Sequence, residues 1–141
     1  MKTILSFVTT LVLITFLQSC NSTKAVSSLD VLTTKDWELT TINGQPVDAS
    51  KYNSGVPVAN FSKDNKISGN GGCNRYSGSY NLNEEGGINI SQVIATKMFC
   101  PGDGEGEYMK ALETANAAMV DKDKLVLLNG VDEVLVFKPK Q

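Results

Sequence analysis

The residues with the most chemical potential stand together. Residues 67–80 read Ile-Ser-Gly-Asn-Gly-Gly-Cys-Asn-Arg-Tyr-Ser-Gly-Ser-Tyr, so fourteen positions hold four glycines, one cysteine, two asparagines, one arginine and two tyrosines. A Gly-Gly pair beside a cysteine asks for unusual backbone angles or for close approach by another segment. Glycine-rich turns can also present backbone amides to an anion. This one matches neither G-x-G-x-x-G opening a helix nor a P-loop ending in Lys-Ser/Thr. We therefore read it first as a corner, in which Gly71-Gly72 turns the chain while Cys73 reaches Cys100. Asn74 is expected to hydrogen-bond local backbone in the turn. Arg75 is expected on the sheet surface, as a salt-bridge or stacking residue or as a contact for a partner. Tyr76 and Tyr80 lie four apart on a strand and share a face, either in the core or as an exposed aromatic platform. Asn74, Arg75, Tyr76 and Tyr80 are thus the candidate surface for a partner or ligand.

The other groups that could do chemistry are fewer. The chain has no histidine, which removes the commonest general base, the commonest zinc ligand and the Ser-His and Cys-His nucleophile arrangements. Asp103, Glu105 and Glu107, interleaved with Gly102, Gly104 and Gly106, hint at a calcium loop. Their spacing fails the EF-hand pattern, and they read instead as acidic residues at the positive end of a helix dipole. Glu84 and Glu85 could mimic a glycosidase pair, but adjacent residues on a turn point apart, so they read as solvated charges. We assign no catalytic residue, no metal and no cofactor, and expect no enzyme. The formal net charge of −2 and pI near 5.1 argue against nucleic acid as a partner, since phosphate binding needs a basic face.

At the amino terminus, Lys2 precedes an apolar run over residues 4–17. That run is shorter than the roughly 20 residues of a membrane-spanning helix and suits the core of a signal peptide. It ends in Leu17-Gln18-Ser19-Cys20, which resembles a bacterial lipobox. The resemblance implies removal of residues 1–19, diacylglyceryl and palmitate-type acylation of Cys20, and anchorage of the mature chain in a bacterial envelope. A plain secretory signal is the alternative. Residues 20–30 are polar and small and read as the lipidated cysteine and a tether. No acidic cluster follows Cys20, which favours the periplasmic side, and we place the protein at the outer membrane facing the periplasm.

With Cys20 acylated, Cys73 and Cys100 remain as an even pair in an oxidising compartment. A disulfide between them would close a loop of roughly 28 residues, worth about 3 kcal/mol in the chain-entropy model. A redox-active or metal-binding thiol pair and two reduced, buried thiols are the alternatives.

The elements that must position these residues come from alternation and turn signals. Residues 36–42 read as a strand with Trp37, Leu39 and Thr41 on one face, ended by Asn43-Gly44. Residues 56–61 read as a strand with Pro57 at its start or edge. Residues 63–66 read as a hairpin turn and residues 67–70 as the return strand. Residues 76–82 place Tyr76, Gly78, Tyr80 and Leu82 on one face. Residues 88–96 are a strand with Ile88 and Ile90 inward. Over residues 105–120 the spacing of Tyr108, Leu112, Ala115 and Met119 predicts a helix with one apolar stripe. Residues 125–137 form a terminal hairpin centred on Asn129-Gly130. The fold class is α+β, mainly β. We expect a curled antiparallel sheet or small partly open barrel of seven or eight strands, with one helix inserted before the C-terminal hairpin and its stripe buried.

Several of these pieces together resemble the META domain family, the group that includes HslJ-like heat-inducible lipoproteins. They are Trp37-x-Leu39, the strand ending in Phe61, the Ser68–Tyr80 segment, Ala95-Thr-Lys-Met-Phe-Cys-Pro101, a helix with Leu112, Leu125-x-Leu127 and Val134-Leu-Val-Phe137. The resemblance covers roughly residues 31–139. It implies a compact mixed fold, association with heat or envelope stress and, for some members, tolerance to an aminocoumarin antibiotic; it brings no catalytic mechanism. The expected function is a monomeric, lipid-anchored, non-enzymatic envelope module that binds another envelope component. The alternative is a small-molecule or lipid binder with a pocket between sheet and helix.

Overall fold

The computed structural model describes residues 27–141. The expected signal peptide, Cys20 and the first part of the expected tether lie outside the described residues. No helix among the described residues is long and apolar enough to cross a membrane.

In chain order the elements are α1 (Ser28–Thr33), β1 (Asp36–Ile42), β2 (Gln45–Pro46), a 3-10 turn (Ala49–Lys51), β3 (Val58–Ser62), β4 (Lys66–Asn70), β5 (Arg75–Leu82) and β6 (Ile88–Ala95). They continue with α2 (Gly104–Thr114), β7 (Ala117–Val120), β8 (Leu125–Asn129) and β9 (Asp132–Pro139). One antiparallel sheet runs β6-β5-β4-β3-β1-β9-β8-β7, with β2 paired to β1 off that path. The sheet curls into a half-barrel around α2. Its two edges touch where Gly87 bridges Ala117, Ile88 N–H donates to the Asn116 carbonyl and Ala118 N–H donates to the Gly86 carbonyl.

Alternation explains most of the inward face. Trp37 and Leu39 of β1, Ala59 and Phe61 of β3, Ile67 of β4, Ile88 and Ile90 of β6, Leu125 and Leu127 of β8, and Leu135 and Phe137 of β9 are buried against Tyr108 and Leu112 of α2. Thr41 was expected inward too. A bulge between Leu39 and Thr41 moves the phase by one residue, and Ile42 takes the core position instead. At the next turn Asn43 and Gly44 both have positive φ, 47° and 76°, as a type I′ hairpin requires.

Three expectations need correction. The helix expected over residues 105–120 stops at Thr114; Ala115 is already extended, with ψ 131°. Residues 117–120 form β7 and give β8 its second neighbour. A four-residue ladder and burial of Ala118 outweigh the strong intrinsic helix preference of Ala-Ala, and Met119, expected in the stripe, is exposed. The last hairpin turns on Gly130-Val131, because Asn129 pairs with Asp132; the turn is one residue beyond the expected Asn129-Gly130. Finally, residues 28–30 of the expected tether belong to α1. Ser27 caps it by accepting from Asp30 N–H at 3.1 Å, and Leu32 is buried. Trp37 Nε1 donates to the Leu32 carbonyl at 3.0 Å, tying α1 to the sheet.

The centre of the half-barrel holds two phenols. Tyr76 Oη donates to the Val58 carbonyl at 3.2 Å and lies 2.7 Å from Tyr108 Oη. With the Tyr76 proton committed to Val58, Tyr108 is the donor of the second bond. The Tyr76 ring crosses Gly69, where a Cβ would land on the Val58 carbonyl oxygen and the Tyr76 hydroxyl. Loss of solvent raises both phenol pKa values well above the ordinary tyrosine range. Raised folded-state values mean that this contribution is intact below the unfolded phenol pKa of about 10 and is lost as pH rises above it. The unfolding free energy from urea titration is therefore expected to be held level by this pair up to about pH 10 and then to fall, by up to about 2.7 kcal/mol per pH unit from these two groups. Tyr52 and Tyr80 are raised as well and add to the measured fall, so Tyr108→Phe should make it shallower by up to about 1.4 kcal/mol per pH unit; an unchanged slope would show that the pair does not set alkaline stability.

Candidate functional site

The corner is built around Asn74. It is the only buried polar or charged residue among those described, and each of its polar groups has a partner. Its N–H donates to Glu105 Oε1 at 2.6 Å, and its Nδ2 donates to Glu105 Oε2 at 2.7 Å and to the Met98 carbonyl at 3.1 Å. Its Oδ1 accepts from Met98 N–H at 2.7 Å and from Thr96 Oγ1 at 2.8 Å. Its carbonyl accepts from Gly71 N–H at 2.8 Å. Asn74 thus joins three segments: the β4–β5 turn, the residues after β6 and the first turn of α2. It does satisfy backbone, as expected, but across the fold rather than within its own turn.

The cysteines lie at the same place. Cys73 and Cys100 form a disulfide, with Cα atoms 6.0 Å apart. Gly72 has φ 105° and lies under the Tyr52 ring, where a Cβ would overlap the ring. Both features require glycine, which explains the Gly-Gly-Cys sequence.

The four residues expected to share a surface do not share one. Asn74 is buried at the corner, and Tyr76 is buried against Tyr108. Tyr80 is buried edge-on to Phe61, with centroids 5.1 Å apart, and its hydroxyl donates to the Ser62 carbonyl at 2.9 Å. Inward alternation on β5 buries both rings, so the aromatic platform is core. Arg75 alone faces out. The expected cluster of acidic residues is also dispersed. Asp103 and Glu107 each lie 3.9 Å from Lys51 Nζ, Glu107 accepts from Asn43 Nδ2, and Glu105 holds Asn74. Among the described residues no group of three His, Cys, Asp or Glu side chains could hold a metal. Glu84 and Glu85 stand exposed in the β5–β6 turn.

What the corner does present is apolar. Met98 and Phe99 project from the loop that Asn74 and Cys100 hold, and Phe99 is 96% exposed. The space between sheet and helix, where a ligand pocket was the alternative, is filled by Tyr108, Ala111 and Leu112. Glu105 is the site residue that sequence reasoning read differently. Its only signal was its place in the first turn of a helix just after Cys100, which also suits an ordinary dipole-complementing acid.

A mainly β half-barrel closed on one helix, with a stapled corner between them, defines the class. The META domain model matches residues 30–141, and the chain belongs to that family. Solved structures share the fold. An NMR structure at 24% identity has a TM-score of 0.62, covering 79% of this chain and 93% of that one. An NMR structure from Burkholderia xenovorans at 27% identity has a TM-score of 0.59, covering 81% and 87%. The crystal structure of a DUF4847 family protein from Bacteroides vulgatus, at 16% identity, has a TM-score of 0.57, covering 77% and 94%. No curated protein matches.

Removing the Asn74 side chain leaves the Met98 N–H and carbonyl, the Thr96 hydroxyl and one Glu105 oxygen without their partner. Asn74→Ala is expected to cost about 3 kcal/mol by urea denaturation, in oxidised and reduced protein alike. A loss under about 1 kcal/mol would mean that the disulfide alone holds the corner.

Proposed function

We propose that this protein is a lipid-anchored envelope module that acts by binding another envelope protein under heat or antibiotic stress, with no catalysis of its own. The observation that carries this reading is the Met98-Phe99 tip. Two large apolar side chains stand in solvent on a loop fixed by a disulfide and a buried amide. Holding apolar side chains exposed on a rigid support suits recognition, because little conformational entropy is lost on binding.

The placement of the tip fits an anchor at Cys20. Helix α1 lies beside the β5–β6 turn, near Leu82 and Glu84, and Asp30 pairs with Lys63 of the β3–β4 turn at 2.9 Å. The tip lies beyond the other end of β5, which is eight residues long and therefore about 25 Å from end to end. A lipid on Cys20 would hold the α1 end towards the bilayer and turn Met98 and Phe99 away from it. The lipobox-like Leu17–Cys20 segment, with no acidic cluster after it, supports an acylated chain at the outer membrane facing the periplasm, and the family's stress association would supply the circumstance.

Palmitate labelling in bacteria should mark the wild-type chain and not Cys20→Ser. Crosslinking in heat-stressed envelopes should recover the same envelope protein repeatedly with wild type and lose it with the double variant Met98→Ser, Phe99→Ser. That variant is expected to keep wild-type stability within about 0.5 kcal/mol because both side chains are exposed. No reproducible partner, or undiminished recovery with the double variant, would overturn the reading.

A further inference from the structure

The outer surface of the sheet carries a cleft that the corner does not fill. One row of residues crosses five strands: Lys138 opposite Glu38, Glu38 opposite Val58, Val58 opposite Asn70 and Asn70 opposite Arg75. Their chain neighbours Trp37, Leu39, Ala59, Tyr76 and Phe137 are buried, so this row faces outward. Glu38, Val58, Asn70 and Arg75, together with Ser68 and Lys140, line a cleft of about 610 Å³ walled on one side by the loop over residues 54–56. That volume lies within the roughly 300–1,000 Å³ of small-molecule sites.

The chemistry of the lining is one-sided. Its single carboxylate, on Glu38, is occupied by Lys138 at 3.2 Å. Arg75 and Lys140 have no carboxylate partner among the described residues. Asn70 Oδ1 already accepts from Gly72 N–H at 2.7 Å, which leaves its amide hydrogens as the available end. The Ser68 hydroxyl is the other neutral donor in the lining. The cleft therefore offers two unpaired cations and two neutral donors, on a chain whose formal net charge is −2. A cation would meet Arg75 and Lys140.

We infer that this cleft binds a small oxyanion-bearing molecule, a carboxylate or a phosphate. Arg75 supplies the planar fork that matches such a group with paired hydrogen bonds. Lys140 supplies the second charge, and Asn70 and Ser68 donate to the oxygens that remain. The site is separate from the Met98-Phe99 tip, and failure of partner capture at the tip leaves it untouched.

Calorimetric titration of the full chain in detergent, at low salt, with pyrophosphate and separately with succinate, tests this. At least one probe is expected to bind with one-to-one stoichiometry. Arg75→Gln should weaken that binding by about tenfold and Lys140→Gln by about threefold, the losses expected for charge-assisted contacts. Lys124→Gln, which removes a cation from the β7–β8 turn, should leave it unchanged. Response to pyrophosphate alone assigns a phosphate ligand, and response to succinate alone assigns a carboxylate. Absence of binding by either at about 10 mM, a range far weaker than ordinary ligand sites, would overturn the inference. So would equal weakening by Lys124→Gln, which would reduce the effect to general charge.

Discussion

An unmet buried polar group costs roughly 1–3 kcal/mol, and Asn74 is buried with all of its polar groups met. That satisfaction constrains the rest of the fold. Glu105 must arrive with two oxygens at hydrogen-bonding distance, which fixes where α2 begins. Met98 must present both its N–H and its carbonyl to one amide, which fixes the path after β6. Gly72 must leave room for Tyr52, which fixes the turn before β5. The disulfide acts at the same junction, but a covalent link between Cys73 and Cys100 sets only a separation. The amide sets orientation, because its donors and acceptor are not interchangeable.

The half-barrel then explains why one helix suffices. A sheet of this length has two edges, and open edges invite association with other chains. Here the edges meet at one end through Gly87 and Ala117, while α2 fills the interior that the curl creates. Tyr108 is the largest helix residue in that interior and is wholly buried. Its hydroxyl could not be left unmet, so Tyr76 leans across Gly69 to provide an acceptor and donates its own O–H to the Val58 carbonyl. The glycine in β4 is thus required by the Val58 carbonyl of β3 and the Tyr76 ring of β5.

Much of this frame was readable from the chain. Alternation found the inward Trp37 and Leu39 of β1 and Ile88 and Ile90 of β6, Asn43-Gly44 announced its turn, and the expected pairing of Cys73 with Cys100 formed. The failures have physical causes. Period and propensity cannot distinguish the last turn of a helix from a short edge strand when the residues are Ala-Ala-Met-Val; pairing with β8 decides, and pairing is non-local. Tyr76 and Tyr80 were correctly placed on one face, yet alternation does not say which face is inside. Asn74 and Glu105 lie 31 positions apart, and nothing local in either marks the other. The Arg75 cleft draws on separate strands and the segment after β9, so it exists only once the register is known.

The two ends of the half-barrel differ in what they expose. The end near α1 carries solvated turns: Lys63 with Asp30, Glu84 and Glu85, and Lys35 donating to the Lys122 carbonyl. The other end carries the disulfide, the buried amide, the Met98-Phe99 tip and the cleft with Arg75. Rigidity and unusual exposure therefore coincide at one end. A corner needed only for stability could have been finished with polar residues at positions 98 and 99, since neither side chain belongs to the hydrophobic core cluster; Met98 contributes to the corner through its backbone. Stability accounts for Asn74, Cys73, Cys100 and Glu105. It does not account for Phe99 in water or for an arginine without a carboxylate, and those are the features through which such an end can meet another molecule.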